Sequence, residues 1–241
     1  MPILEVDEAT KSFGPLVAAN RISVRLREGE ALGVIGPNGA GKTTLFNLIT
    51  GVLHPNSGRI LLRGVEVTHM TPSARCRAGI ARSFQVPHPF SGMTVFENTL
   101  VGATFGGRRG ERESYERCIA ILDRVGLLDK ADTLAGSLRL LDRKRLELAR
   151  ALASEPQLLL LDEIAGGLTD HETAELISII REIRATGVSI IWIEHVVHAL
   201  TAVVDRLLAM NFGSLLAEGD PDEVMSNATV REVYLGIGAA G

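Results

Sequence analysis

Eight consecutive residues carry the most specific chemistry in this sequence: Gly36-Pro37-Asn38-Gly39-Ala40-Gly41-Lys42-Thr43. They fit the pattern of glycine, four residues, glycine, lysine and threonine that wraps phosphate groups. Successive backbone N–H groups, including those of Gly39, Gly41, Lys42 and Thr43, are expected to curl around phosphate oxygens. Glycine lets the chain take positive φ and come close to an anion. A helix starting at Lys42 would add the partial positive charge of its N-terminus. In that arrangement Lys42 reaches the β- and γ-phosphates, the Thr43 hydroxyl is offered to Mg²⁺, and Thr44 can bind the α-phosphate. A second stretch, Leu158-Leu159-Leu160-Leu161-Asp162-Glu163, complements the first. Parallel neighbouring strands are expected to bring Asp162, at the end of a buried strand, beside the loop, where it can hold Mg²⁺ through water. Glu163, one residue on, can polarise or deprotonate a water attacking the γ-phosphate.

These groups need elements to hold them. Residues 31–35 form a short, continuous apolar run, the pattern of a strand buried on both faces. Residues 42–50 read as a helix, with Gly51 placed to end it in a left-handed conformation. Residues 158–161 and 188–193 are further buried strands, and 206–210 reads the same way. Ahead of the loop, Ile22, Val24 and Leu26 alternate with Ser23, Arg25 and Arg27, which predicts a half-buried strand of an antiparallel sheet. Residues 3–6, 59–63, 65–68 and 80–84 are also strand-like. Thr71-Pro72 starts a short helix. Thr94 with Glu97, and Thr169 with Glu172, are capping boxes, and Asp220-Pro221 with Glu223 caps a short final helix. Cys118, Ile121, Leu122 and Val125 recur at helical spacing within 112–125, and a further helix covers 140–154 before Pro156. Leu176, Ile177, Ile180 and Ile183 line one face of a helix that Gly187 closes. The helical stretch 88–155 therefore reads as an insertion into an α/β core made of 1–87 and 156–241.

Composition narrows the class of protein. Over 241 residues, 46% hydrophobic and 22% charged side chains describe a chain that can bury a sizeable core. The formal net charge of −4 gives no overall basic field for nucleic acid. The longest apolar runs fall well short of the roughly 20 residues of a spanning helix. No basic-then-apolar leader is visible, and Cys76 and Cys118 form no metal-type cluster, which suits a reducing cytosol.

The glycine-rich loop, the four-leucine strand with its acidic pair, and the inserted helices together resemble an ATPase of the ABC type, over nearly the whole chain. The order of motifs is most similar to the ATP-binding subunits of branched-chain amino acid importers. Arg82-Ser83-Phe84-Gln85, the stretch Met93-Thr94-Val95-Phe96-Glu97-Asn98, Arg145 to Ala151 and Ile193-Glu194-His195 carry the likeness, with Tyr234-Leu235-Gly236 adding to it. The resemblance implies a P-loop NTPase core with an antiparallel β subdomain and an inserted α-helical subdomain. It implies an aromatic stack on adenine from Phe13, a Mg²⁺ ligand and partner sensor in Gln85, and a γ-phosphate contact from His195. It further implies ATP and Mg²⁺ as cofactors and a second ATPase subunit. Transmembrane permease subunits, and indirectly a solute-binding protein, complete the expected assembly. The chain is then expected at the cytoplasmic face of the inner membrane, docked by Gln85 and the following segment 86–90.

One motif departs from the family pattern. The signature that faces the partner's nucleotide, usually Leu-Ser-Gly-Gly-Gln, falls without gaps on Leu138-Arg139-Leu140-Leu141-Asp142. Bulk replaces close backbone access, a hydroxyl donor is lost, and Asp142 places negative charge near an anion. Ile164 stands where proline is common, and Thr169 where the following loop often ends in aspartate or asparagine. These changes lead us to expect an asymmetric heterodimer, with a homodimer of two altered sites as the runner-up. A soluble ABC-type switch in DNA repair or translation is the competing class. The short single cassette and the negative charge speak against it.

Overall fold

The computed structural model describes residues 1–107 and 111–235. Two sheets organise it. β1 (Pro2–Phe13) and β2 (Leu16–Arg27) form a long antiparallel hairpin, and β4 (Ser57–Leu62) pairs with the other edge of β1. β5 (Val65–Glu66) completes a four-stranded sheet in the order β2-β1-β4-β5. The alternation read in β2 is present: Ile22, Val24 and Leu26 are buried while Ser23, Arg25 and Arg27 face solvent.

The second sheet holds β3 (Ala31–Ile35), β6 (Ile80–Arg82), β7 (Leu158–Asp162), β8 (Ser189–Ile193), β9 (Arg206–Asn211) and β10 (Ser214–Gly219). Its order is β10-β9-β3-β8-β7-β6, parallel throughout except for the β9–β10 hairpin. Every residue of β3, β7 and β8 is buried, because both faces of this sheet are covered. Successive side chains go to opposite cores. Leu158 and Leu160 join the core shared with the four-stranded sheet and with α1 (Lys42–Thr50). Leu159 and Leu161 join the other core, with Leu146 and Leu148 of α5 (Leu140–Ala153) and Leu176 and Ile180 of α6 (Asp170–Ala185). That second core also takes Val95 of α3 (Val95–Val101) and Cys118 and Leu122 of α4 (Glu111–Arg124), so the helical stretch shares one apolar interior with the sheet face beneath it.

Several local readings are met where the sequence placed them. α1 spans Lys42–Thr50, and Gly51 ends it at φ 79°. Thr94 accepts from the Glu97 N–H at 3.1 Å while Glu97 accepts from the Thr94 N–H at 2.7 Å, and Thr169 and Glu172 do the same at the start of α6. Thr71 caps α2 (Pro72–Arg77), and Asp220 caps α8 (Pro221–Ser226).

Other expectations need correction. The strand expected over 80–84 ends at Arg82, and Phe84 is exposed. The strand expected over 65–68 stops at Glu66, because the Thr68 hydroxyl turns back to accept the Ile60 N–H at 2.9 Å. β3 and β7 are not adjacent: β8 lies between them, with Val34, Ile193 and Asp162 in register across the three strands. β10, α7 (Val197–Thr201), α9 (Ala228–Leu235) and a π-helical turn at Gly102–Gly106 are additional elements. Gly236, the last residue of the C-terminal motif, lies outside the described residues.

Candidate active site

In a parallel sheet the carboxyl ends of the strands all open on one edge, and ligands bind there. β3 ends at Ile35 and runs into the glycine-rich loop. β6, β7 and β8 end at Arg82, Asp162 and Ile193, so Gln85, Glu163 and His195 emerge from neighbouring strand ends.

At two of its glycines, Gly36 and Gly41, the loop has no space for a side chain. Gly41 has φ 99°, and a Cβ there would lie 2.5 Å from the Ala18 carbonyl oxygen of β2. A Cβ on Gly36 would collide with the Met210 carbonyl oxygen. Between them the Ala40 N–H closes a turn on the Pro37 carbonyl at 3.1 Å, and the Ala40 carbonyl accepts the Gly213 N–H at 2.9 Å. The cradle is therefore braced from β2 and from the β9–β10 turn. Lys42 is 6% exposed and folds back to donate to the Gly36 carbonyl at 2.6 Å and the Pro37 carbonyl at 3.1 Å. Burial pulls its ammonium below the ordinary lysine range, and Glu163 and Asp162 pull it partly back. Those two carboxylates are thus near enough to act on the lysine although β8 separates their strand from β3. Thr43 is solvent-exposed at the start of α1, and Thr44 is half-buried beside it.

Glu163 sits at the centre of the polar groups. Its Oε2 accepts from Gln85 Nε2 at 2.5 Å, and its Oε1 lies 2.8 Å from His195 Nε2. A carboxylate only accepts, so His195 Nε2 carries the proton of that contact. The same argument turns the Gln85 amide nitrogen to Glu163 and leaves its carbonyl oxygen free. The Glu163 backbone is at φ 47°, a left-handed conformation unusual for a side-chain-bearing residue, and its N–H stays on the ladder by donating to the Ile193 carbonyl at 2.8 Å. The strain turns the side chain out of the strand line toward Gln85 and His195.

Asp162 has a partner that the sequence reading did not name. Arg82 donates to its Oδ2 at 2.5 Å and to Asn47 Oδ1 of α1 at 2.7 Å. The guanidinium lies between the rings of Phe46 and Phe84, 5.4 and 5.1 Å from their centroids. Both charged side chains are only 9% exposed. Arg82 belongs to a stretch quoted for its family likeness, but only the fold shows that β6 pairs with β7 and sets the arginine against Asp162. Two further groups were missed for the same reason. Glu194, buried at 1%, accepts the N–H groups of Ala165 (3.0 Å), His195 (2.9 Å) and Val196 (3.3 Å). Lys144 of α5 is buried, which lowers its pKa, and Glu194 and Glu163 are the charges that oppose this.

Phe13 does not join this group. It is 47% exposed at the β1–β2 hairpin, and the Lys11 ammonium sits 5.6 Å from its ring centroid. It is no core side chain, and its hairpin partner strand β2 borders the cradle at Ala18. In the stretch 138–142, Arg139 and Leu140 are exposed, whereas Asp142 is buried and paired with Lys130 at 2.7 Å and Arg145 at 3.7 Å. The negative charge expected to face an anion is instead neutralised within the chain.

The donor set fits a small hard cation. Thr43 hydroxyl, Gln85 amide oxygen and Asp162 carboxylate are all oxygen ligands of the kind Mg²⁺ takes, and a glycine-rich loop at a helix N-terminus suits a chain of phosphates.

Comparison with known proteins agrees with this geometry. The family described as "ABC transporter" matches residues 19–166, and "Branched-chain amino acid ATP-binding cassette transporter" matches 214–240. The high-affinity branched-chain amino acid transport ATP-binding protein LivG of Escherichia coli is 38% identical, over 98% of each chain. BraF of Pseudomonas aeruginosa, which carries the same description, is 37% identical over the same shares. Among solved structures, the ADP conformation of an ATP-binding cassette of an ABC transporter superposes with a TM-score of 0.91 at 32% identity, covering 98% of this chain and 100% of that one. A nucleotide-free cassette gives 0.90 at 31% over the same shares. A strand-to-helix phosphate cradle, an acidic pair two strands away and end-to-end kinship with transport cassettes converge on one conclusion: this chain belongs to the ABC transporter ATP-binding subunits, on the branch of the branched-chain amino acid importer ATPases.

Proposed function

We propose that this chain hydrolyses ATP to drive import of branched-chain or related amino acids through separate permease subunits. The observation that carries the reading is the double hold on Glu163 by Gln85 and His195, at strand ends on the same sheet edge as the glycine-rich loop. In this reading the amides at 36–43 and the Lys42 ammonium bind the β- and γ-phosphates, which requires Lys42 to exchange its two carbonyl contacts for phosphate oxygens. Phe13 offers its exposed ring to adenine. Thr43, Gln85 and Asp162 hold Mg²⁺, which when bound draws charge off the phosphate oxygens. Glu163 accepts the proton of the attacking water, and His195 orients that water and the γ-phosphate. Hydrolysis is then set by a carboxylate whose two oxygens are both held by neighbouring side chains, a geometry that limits the motion required at the chemical step.

The permease side of the reading rests on a groove of 680 Å³ between the sheet edge and the helical stretch 88–155. Its walls expose Val52, Phe84 and Phe105, at 57%, 51% and 75%. Cys76 and Ala151 line it as well. Such a surface fits an apolar segment of a membrane partner. No helix among the described residues is long and apolar enough to cross a membrane. In this reading the chain sits peripherally, at the cytoplasmic face, docked to the permease subunits. The departure of Leu138-Arg139-Leu140-Leu141-Asp142 from the usual signature is what favours pairing with a second, different ATPase subunit over pairing with an identical copy. Adding that subunit is expected to raise ATPase activity well above that of the isolated chain, and full activity of the isolated chain would reject the heterodimer.

Glu163→Gln tests the hydrolytic role. It keeps the Gln85 and His195 neighbourhood but removes the base. ATP turnover is expected to fall by about 100-fold or more while ATP stays bound. Wild-type turnover in that variant would overturn the assignment.

A further inference from the structure

The C-terminal helix α9 carries Tyr234, and its hydroxyl donates to the backbone carbonyl of His195 at 3.2 Å. The ring packs against the apolar core formed by the sheet face and the helices. Burial raises the phenol's pKa, and the nearby Glu194 and Glu163 raise it further, so the hydroxyl keeps its proton and remains a donor. On its other side, His195 is held through its own N–H by Glu194 at 2.9 Å. The strand has ended at Ile193, so no sheet ladder fixes His195. Its backbone is instead clamped at its N–H and its carbonyl by side chains, one from the adjacent Glu194 just past the strand and one from the C-terminal helix. Its imidazole meets Glu163 at 2.8 Å from that clamped position.

We propose that Tyr234 is a positioning residue for ATP hydrolysis: the C-terminal helix sets where His195 stands against Glu163. This rests on the reading of Glu163 and His195 as the hydrolytic pair. It gives the segment 214–240, which matches a family description of its own, a task in the chemistry besides its contribution to the core. Tyr234 touches neither nucleotide nor water in this account and acts only through His195.

The test uses the full-length chain with Tyr234→Phe, which keeps the ring and removes one hydroxyl. The expected result is a fall in kcat of about five-fold, the factor that one ordinary hydrogen bond is worth, with KM for ATP unchanged and the melting temperature lowered by only about 2–4 °C. The imidazole NMR signal of His195, identified by its loss in His195→Gln, is expected to shift in the variant. On the His195→Gln background Tyr234→Phe is expected to cost nothing more, because both changes act on one group. An unmoved His195 signal, an unchanged kcat, or a full further loss in the double variant would each overturn the proposal. Wild-type turnover in His195→Gln itself would instead overturn the reading of the hydrolytic pair.

Discussion

The ion pair between Arg82 and Asp162 shows how a single residue can serve fold and site together. A guanidinium with 9% of its side chain exposed needs a carboxylate, and Asp162, expected to face Mg²⁺, supplies one oxygen to it. Removing one member of such a buried pair leaves the other uncompensated, which costs about 3–5 kcal/mol. Arg82→Ala is therefore expected to lower the melting temperature by roughly 10 °C in the absence of metal. Differential scanning calorimetry with and without MgATP checks this, and bound MgATP should restore part of the loss by giving Asp162 a new cation. A melting temperature equal to wild type would show that the pair contributes nothing net. At this scale the sequence was informative for Lys42, Asp162 and Glu163, whose types and spacing announce their chemistry. Arg82, Glu194 and Tyr234 stood in the sequence only as members of motifs, with no role of their own, because each has a partner distant in the chain.

Helix α1 illustrates the next scale. Its residues were readable end to end, from the loop glycine through Gly51, because the signals are local. What holds its far end was not readable. Arg75 of α2 is fully buried and donates to the Leu48 and Ile49 carbonyls at the end of α1, at 2.5 and 2.8 Å, and to Thr68 and Met70 carbonyls at 2.7 and 3.3 Å. Burial lowers its pKa to about 10, so the guanidinium stays charged at neutral pH. A cation there satisfies the last carbonyls of α1 and complements the negative end of its dipole. Arg75→Met would leave those acceptors unpaired at a cost of about 3 kcal/mol or more. Chemical denaturation is expected to show that loss, together with weaker nucleotide binding, since α1 carries Lys42. Unchanged denaturation midpoints would mean that water replaces the guanidinium.

Across the whole molecule, the groove between the two halves of the chain offers a direct measurement. Cys76 lines it, whereas Cys118 is fully buried in the core with its thiol pushed up to about 11. A maleimide is expected to label Cys76 in the native chain and to reach Cys118 only on unfolding, since a buried thiol that keeps its proton is a poor nucleophile. Assembly with permease subunits should protect Cys76. Undiminished labelling of Cys76 in the assembled transporter would place the docking surface elsewhere.

Taken by itself, the sequence determined what depends on neighbours along the chain. The phosphate loop and the extent of α1, the buried run of β3 and the two capping boxes all follow from hydrogen bonds and side-chain periodicities that span a few residues. The same holds for the alternation in β2. The tertiary structure decided what depends on pairing between distant segments. It set the strand order that puts β8 between β3 and β7, and the meeting of Gln85, Glu163 and His195 from three strand ends. It also decided the burial of Asp142 against Lys130 and the reach of α9 to His195. Those outcomes are set by which faces of the sheet are covered and in what register. Many strand orders satisfy the same local pattern, and only the packing of the two cores on either face of the parallel sheet selects one of them.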